Sequence, residues 1–318
     1  MDIGLSRVYE LASRASRIAV IGAIITFGIF DLISFELLLS GQIVIAVIAL
    51  LIGIPHGAID HLITIPRESR VRFITFIFFY VLLAVAAGFA IATWSQIGFH
   101  LILVISALHF GFGDGAFKSE WNESRGITKD VFLKVSTYAL PAGFLPIVLP
   151  LTDSRAISAL NRINPELANW SGSINQTLRN ITLALALIGL LLLLIKKNFQ
   201  SSLDLLLLAI LSLLTPPLIA FAVYFGCWHA VRHTARLVPK LPKALLHARS
   251  IKPLKAFMSA VIPGLYAVFG TIALALGLMF FRPEYFDTGL LWTILVIIWA
   301  LTIPHMLTTA KFDLQLFK

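Results

Sequence analysis

The chain has 318 residues, 58% of them hydrophobic and only 13% charged, with a formal net charge of +9 and a mean hydropathy of +0.91. A soluble globular domain carries roughly a quarter charged residues, so the composition excludes a water-soluble fold, and the single cysteine, Cys227, excludes a disulfide framework. The apolar runs are continuous rather than alternating, which excludes a β-barrel.

The sequence therefore predicts an all-α polytopic membrane protein: one transmembrane helical domain over 1–318, a multi-pass protein of the cell (inner) membrane. In chain order, apolar segments fall at about 16–37, 41–65, 71–94, 97–116, 131–151, 176–196, 202–215, 217–238, 254–281 and 289–311. Arginines precede the first, but no small-residue cleavage signature follows, so it reads as a retained helix. The loop Thr152–Gln176, with its Asn, Ser and Pro content, reads as a solvated connection. Segments seven and eight meet at Pro216-Pro217, where a regular helix cannot continue, so they form either one broken element or a tight helical hairpin.

Charge decides between these. With a cytoplasmic N-terminus and ten crossings, the inner side collects Arg67, Arg70, Arg72, Lys118, Arg125, Lys129, Lys134, Lys196, Lys197 and the dense run Arg232–Lys255. The outer side keeps only Arg155, Arg162, Arg179 and Arg282. That is a strong positive-inside bias. A bundle of about ten transmembrane helices, or nine plus a re-entrant piece, preserves it; merging segments seven and eight would reverse it. The basic run then needs no nucleic acid, since topology and attraction to anionic lipid explain it.

Six of the eight histidines, His56, His61, His109, His229, His233 and His305, lie inside apolar segments, with Asp60 and Asp114 beside them. Ionisable groups in hydrocarbon are costly, and a shared transition metal is one partner that satisfies several imidazoles together. In the ten-crossing topology, segments 41–65, 97–116, 217–238 and 289–311 run in the same direction. They put His56, His109, His229 and His305 at nearly one depth in the cytoplasmic half, so a metal site between these four helices is expected.

Spacing refines the set. His229 and His233 are four residues apart and share a helix face. His56 and Asp60 have the same spacing, whereas His61 turns about 140° away from His56. A single intramembrane histidine is ordinarily a hydrogen-bonded helix link, so His56, His109, His229 and His233 are the expected ligands. Asp60, His61, Asp114 and His305 are expected to support them, the carboxylates by orienting imidazoles through their second nitrogens, with His305 equally open to a ligand role. His100 and His247 read as bystanders. Aromatics crowd these histidines; most aromatics of the chain read as core or lipid-facing, and a subset beside the histidines could line an apolar tunnel.

An all-nitrogen site suits Fe(II), Zn(II) or Cu(II). No HExxH, catalytic triad or phosphate-binding glycine loop accompanies it. Gly53-Ile54-Pro55-His56-Gly57 with Asp60-His61, His109-Phe110-Gly111 with Asp114, Tyr224-Phe225 with Trp228-His229 and Arg232-His233, and Pro304-His305 together resemble the bacterial and archaeal Brp/Blh proteins, integral-membrane β-carotene 15,15′-dioxygenases. The resemblance covers segments two to ten and is specific as a combination. It implies Fe(II) on His56, His109, His229 and His233, and central cleavage of β-carotene with O2 into two all-trans-retinal, with Phe110, Tyr224 and Trp228 as expected walls near the bond that is cut. It also implies chromophore supply to a microbial rhodopsin, a possible recipient of the retinal. The alternative is a transition-metal permease of the nickel/cobalt kind, whose H…DH signature His56…Asp60-His61 approaches with one residue fewer.

Overall fold

The computed structural model describes residues 2–64, 69–127, 135–281 and 286–313. Within them all regular structure is helical: α1 (Ile3–Leu32), α2 (Leu39–Gly57), α3 (Asp60–Thr64), α4 (Arg70–Thr93), α5 (Ser95–Ser124), α6 (Leu140–Ile147), α7 (Ser154–Ile163), α8 (Asn175–Ile195), α9 (Phe199–Leu214), α10 (Pro217–Val223), α11 (Ala230–Leu237), α12 (Pro242–Arg249), α13 (Pro253–Val261), α14 (Leu265–Phe281) and α15 (Phe286–Asp313). Among the described residues six helices are long and apolar enough to cross a bilayer, and two further apolar helices, Phe199–Leu214 and Leu295–Ala310, are shorter. Arg67, Lys129, Lys134 and Arg282, used above for topology, lie outside the described residues, as do the segment ends at 65 and 131–134.

The distribution of side chains is inverted relative to a water-soluble fold. Outward positions of α4 carry Ile74, Phe78, Phe79, Val85 and Phe89, all exposed. The interior holds Asp204, His229, Arg232, His233 and Arg236. Hydrocarbon outside and paired ions inside is what a lipid solvent selects, because only the interior offers polar partners.

Several elements depart from the expected boundaries for identifiable reasons. Helix α1 starts at Ile3, where Asp2 caps it by accepting from the Leu5 N–H (3.0 Å). It ends before Ser34, whose φ of 53° no helix continues. Helix α5 runs on to Ser124, its Lys118 held by a buried partner. The segment at 41–65 breaks after Gly57, so Asp60 opens a new short helix instead of following His56 on the same face. Pro55 inside α2 weakens the ladder just before that break.

The Thr152–Gln176 loop is folded rather than simply solvated. Helix α7 buries Ala156 and Leu160, while Leu167 and Trp170 turn inward behind it. Trp170 packs edge-on against Phe99 with ring centroids 5.9 Å apart, and its carbonyl takes a hydrogen bond from His100 Nε2 (2.5 Å). His100 is thus a structural tie between this loop and α5.

Segments seven and eight form the hairpin. Asp204 on α9 and Arg232 on α11 meet at 3.0 Å. Twenty-eight residues of continuous helix would hold them about 40 Å apart at 1.5 Å per residue. The chain therefore reverses at Thr215-Pro216, and the broken single element is excluded.

That ion pair is the centre of a larger cluster. Asp204 accepts from Arg17 Nε (2.7 Å), Arg232 Nη2 (3.0 Å) and Tyr138 Oη (3.4 Å), and pairs with Lys118 Nζ (2.5 Å). Arg232 also donates to Ser16 Oγ and Tyr138 Oη, both at 3.1 Å, and stacks over Trp228 at 3.5 Å. One carboxylate thus ties α1, α5, α9 and α11 together. Removing it leaves two buried cations, Lys118 and Arg232, and the half-buried Arg17 without their counter-charge, which costs about 3–5 kcal/mol. Asp204→Ala should therefore abolish or severely lower the yield of folded protein in detergent. Asp153→Ala, which removes the solvent-side partner of Arg155, should cost no more than about 1 kcal/mol. Fluorescence-detected size-exclusion with thermal ramps measures both.

Candidate metal centre

Five histidines converge. His56 comes from α2, His109 from α5, His229 from the π-helical turn Tyr224–His229, His233 from α11 and His305 from α15. Ring centroids lie 5.3 Å apart for His56–His229, 5.2 Å for His109–His229, 5.4 Å for His109–His305 and 5.1 Å for His56–His305. His233 neighbours all four, at 5.1 Å from His56, 5.7 Å from His229, 5.5 Å from His305 and 6.3 Å from His109. Close helix approach makes this possible. A side-chain carbon at Gly226 would collide with the Ala49 carbonyl, and one at Gly53 with the Phe225 ring, so α2 reaches the π turn only because both are glycine.

The outward nitrogens of three rings are anchored. His305 Nδ1 lies 2.9 and 3.1 Å from the two Asp60 carboxylate oxygens. His109 Nδ1 lies 3.2 Å from Asp313 Oδ2. His56 Nδ1 faces the Gly53 carbonyl. Each acceptor favours the proton on Nδ1 and leaves the Nε2 lone pair available. The anchors are themselves held: Tyr80 Oη donates to Asp60 (3.3 Å), and Arg236 donates to Asp313 (2.7 Å) while pairing with Glu120 (3.1 Å).

Six ring nitrogens remain buried without a hydrogen-bond partner: Nε2 of His109 and His305, and both nitrogens of His229 and His233. One unpaired buried polar atom costs about 1–3 kcal/mol. Six together cost on the order of 10 kcal/mol, comparable with the whole stability of a domain. Among the described residues no group of three His, Cys, Asp or Glu side chains stands in an arrangement that could hold a metal ion as it is. Yet the donor set fits a transition metal well: neutral imidazoles, unpaired nitrogens in a common space, and carboxylates on their far sides.

The remaining candidates occupy distinct places. His61 packs on Phe73, ring centroids 5.8 Å apart, and lines the cavity beside the cluster. Asp114, expected to orient an imidazole, instead accepts from Trp228 Nε1 at 2.7 Å. Trp228 is fully buried between that carboxylate and Arg232. Tyr224 is equally buried and backs Phe110, ring centroids 5.7 Å apart. Of the three expected substrate walls, only Phe110 lines a cavity described here, and Phe225 joins it. His305, expected as a support, stands inside the ring of histidines with its own carboxylate behind it.

Asp313 and Tyr80 are functional candidates that the sequence reading passed over. Asp313 lies two residues beyond the last apolar segment, yet it follows His305 by about two helical turns, which is the available signal. Tyr80 sits in the aromatic run of α4, where nothing in the pattern separates it from its lipid-facing neighbours.

Two cavities adjoin the histidines. One, of about 260 Å³, is lined by His56, His305, Asp60, His61 and Tyr80 together with apolar side chains. The other, of about 120 Å³, is walled almost wholly by apolar residues of α5, α7, α10 and α15. Phe110 and Phe225 belong to both, and they touch the cluster directly: Phe110 lies 4.4 Å from His229 and Phe225 lies 5.9 Å from His56.

Residues 47–313 match the family model described as β-carotene 15,15′-dioxygenase. That span contains all five histidines, begins after α1 and ends at Asp313. A curated relative from uncultured marine bacterium 66A03, named β-carotene 15,15′-dioxygenase, is 29% identical over 266 residues, covering 80% of this chain and 88% of the relative. No solved structure matches the chain.

The anchoring carboxylates make a measurable difference to any bound metal. Asp313→Asn and Asp60→Asn should each weaken metal retention about 10–100-fold, the usual cost of losing an oriented imidazole. Asp114→Asn, which touches Trp228 instead, should leave it nearly unchanged. Metal content after graded chelator challenge of purified protein distinguishes these outcomes.

Proposed function

Because the chain belongs to the β-carotene 15,15′-dioxygenase family, we propose that it cleaves the central double bond of β-carotene with O2 to give two molecules of all-trans-retinal. The C15=C15′ bond is replaced by two C=O bonds, and both oxygen atoms come from the same O2. The observation that carries this reading is the cluster of five inward-facing histidines at the wall of an apolar cavity.

The proposed cofactor is Fe(II), held by His56, His109, His229 and His233, with His305 in the same cluster as a fifth candidate. When bound, iron supplies the redox chemistry that lets O2 react with a polyene. The chain's own residues do the rest. Asp60, Asp313 and the Gly53 carbonyl hold the His305, His109 and His56 rings in one orientation. Phe110 and Phe225 offer aromatic faces to the conjugated chain beside the histidines. Buried Tyr224 and Trp228 stiffen the wall behind them. The apolar lining excludes water from the reacting carbons, which protects reactive species from side reactions.

The permease alternative loses its footing. Asp60 is engaged with His305 and His61 packs on Phe73, so the three share a cavity without forming the single ligand set that the permease signature requires. A carotenoid dissolves in lipid, so a multi-pass protein of the cell membrane with a cytoplasmic N-terminus suits the substrate. The retinal formed suits a microbial rhodopsin as its chromophore.

Expression in a β-carotene-producing cell tests the proposal. Orange colour should fade and retinal accumulate with the wild type, while His233→Ala should leave the carotene intact. Persistent colour alongside well-folded wild-type protein would defeat it.

A further inference from the structure

The two cavities differ in their boundaries. The larger one has a rim of exposed apolar residues, Ile77 on α4 (37% exposed) and Leu301 on α15 (42%), so it opens on the face of the bundle that meets lipid. Every residue lining the smaller one is buried or half-buried. Helix α7 lies across that cavity with Ala156, Ala159, Leu160 and Ile163. The loop behind α7 is tied down by the His100–Trp170 bond and by Asn175 Nδ2 donating to the Thr152 carbonyl (3.1 Å). Between the two spaces stand Phe110, Phe225, Ile298 and Thr302, common to both, with the two phenylalanines against the histidines.

We propose that the two cavities are the halves of one channel for a single polyene, joined across Phe110 and Phe225: the larger half admits substrate from lipid, and the smaller half, closed by α7, measures how far the chain extends past the bond that is cut. The inference rests on the cleavage reading above and assigns it a substrate register. A long symmetric hydrocarbon has no polar handle along its length, so a protein can locate its centre only by stopping one end. The α7 cap is the stop. One half of the molecule fills the closed side, the other half remains in the lipid-open side, and the bond between them lies at the shared aromatic wall beside the histidines. Ala159, half-buried on α7, and Ser106, on the α5 wall of the same space, are specificity-determining positions that no motif marks.

Filling the closed half should shorten the substrate it accepts. Ala159→Phe, and independently Ser106→Leu, are assayed as purified iron-loaded protein with two probes, β-carotene and β-apo-8′-carotenal, which keeps one ring and is truncated at the other end. The truncated end still fits the shortened side. The ratio of kcat/KM for the apocarotenal to that for β-carotene should rise about tenfold or more in each variant, the scale on which a filled apolar pocket discriminates. Parallel loss on both probes, or no change on either, overturns the proposal, and Ser106→Leu carries the test alone if Ala159→Phe does not fold. Wild-type protein that cleaves neither probe overturns the dioxygenase reading and this inference with it, an outcome distinct from an unchanged ratio in active variants.

Discussion

Ionisable side chains inside an apolar bundle must be satisfied collectively, and that constraint organises this molecule. Two buried polar layers result. In one, Asp204 gathers Arg17, Lys118, Arg232 and Tyr138. In the other, five imidazoles face one another, backed by Asp60 and Asp313. The first layer closes through ion pairs within the chain. The second does not: six of its ring nitrogens have no hydrogen-bond partner, and the proposed metal is what would satisfy them.

The short stretch from Tyr224 to Leu237 joins the layers. His229 and His233 face the cluster, Arg232 turns to Asp204, and Arg236 turns to Asp313 and Glu120. One helix therefore presents the candidate ligands on one side and fixed charges on the others. The π-helical turn just before it, seated where Gly226 meets α2, shifts the register at the point where Tyr224 and Phe225 must reach Phe110. Wider turns of this kind recur at functional sites because they re-aim side chains without ending the helix. Stability and chemistry are coupled here, since the groups that hold α11 in place also hold the histidines.

Much of this was legible from residue spacing. Helix direction and apolar segment ends put His56, His109, His229 and His305 at one depth, and the structure brings those four together with His233. The hairpin at Pro216 was legible from proline chemistry joined to charge bias. Other features were not. Asp60 left the His56 face because the helix breaks after Gly57, a local event that ideal periodicity cannot show. Asp114 found an indole donor instead of an imidazole, a choice fixed by tertiary packing. The α7 cap hid in a polar composition because its buried face is only Ala156, Ala159, Leu160 and Ile163, too few to register as an apolar run. Asp313 lay two residues past the end of the last apolar segment, so the segment boundary left it out.

The central claim is that these histidines close on one iron. X-ray absorption at the iron edge of the purified, iron-loaded protein tests it most directly. The account predicts a nitrogen and oxygen shell with the outer-shell scattering of several imidazoles, reduced in amplitude when His229 is replaced. Sulfur scattering, or iron bound without an imidazole signature, would contradict it.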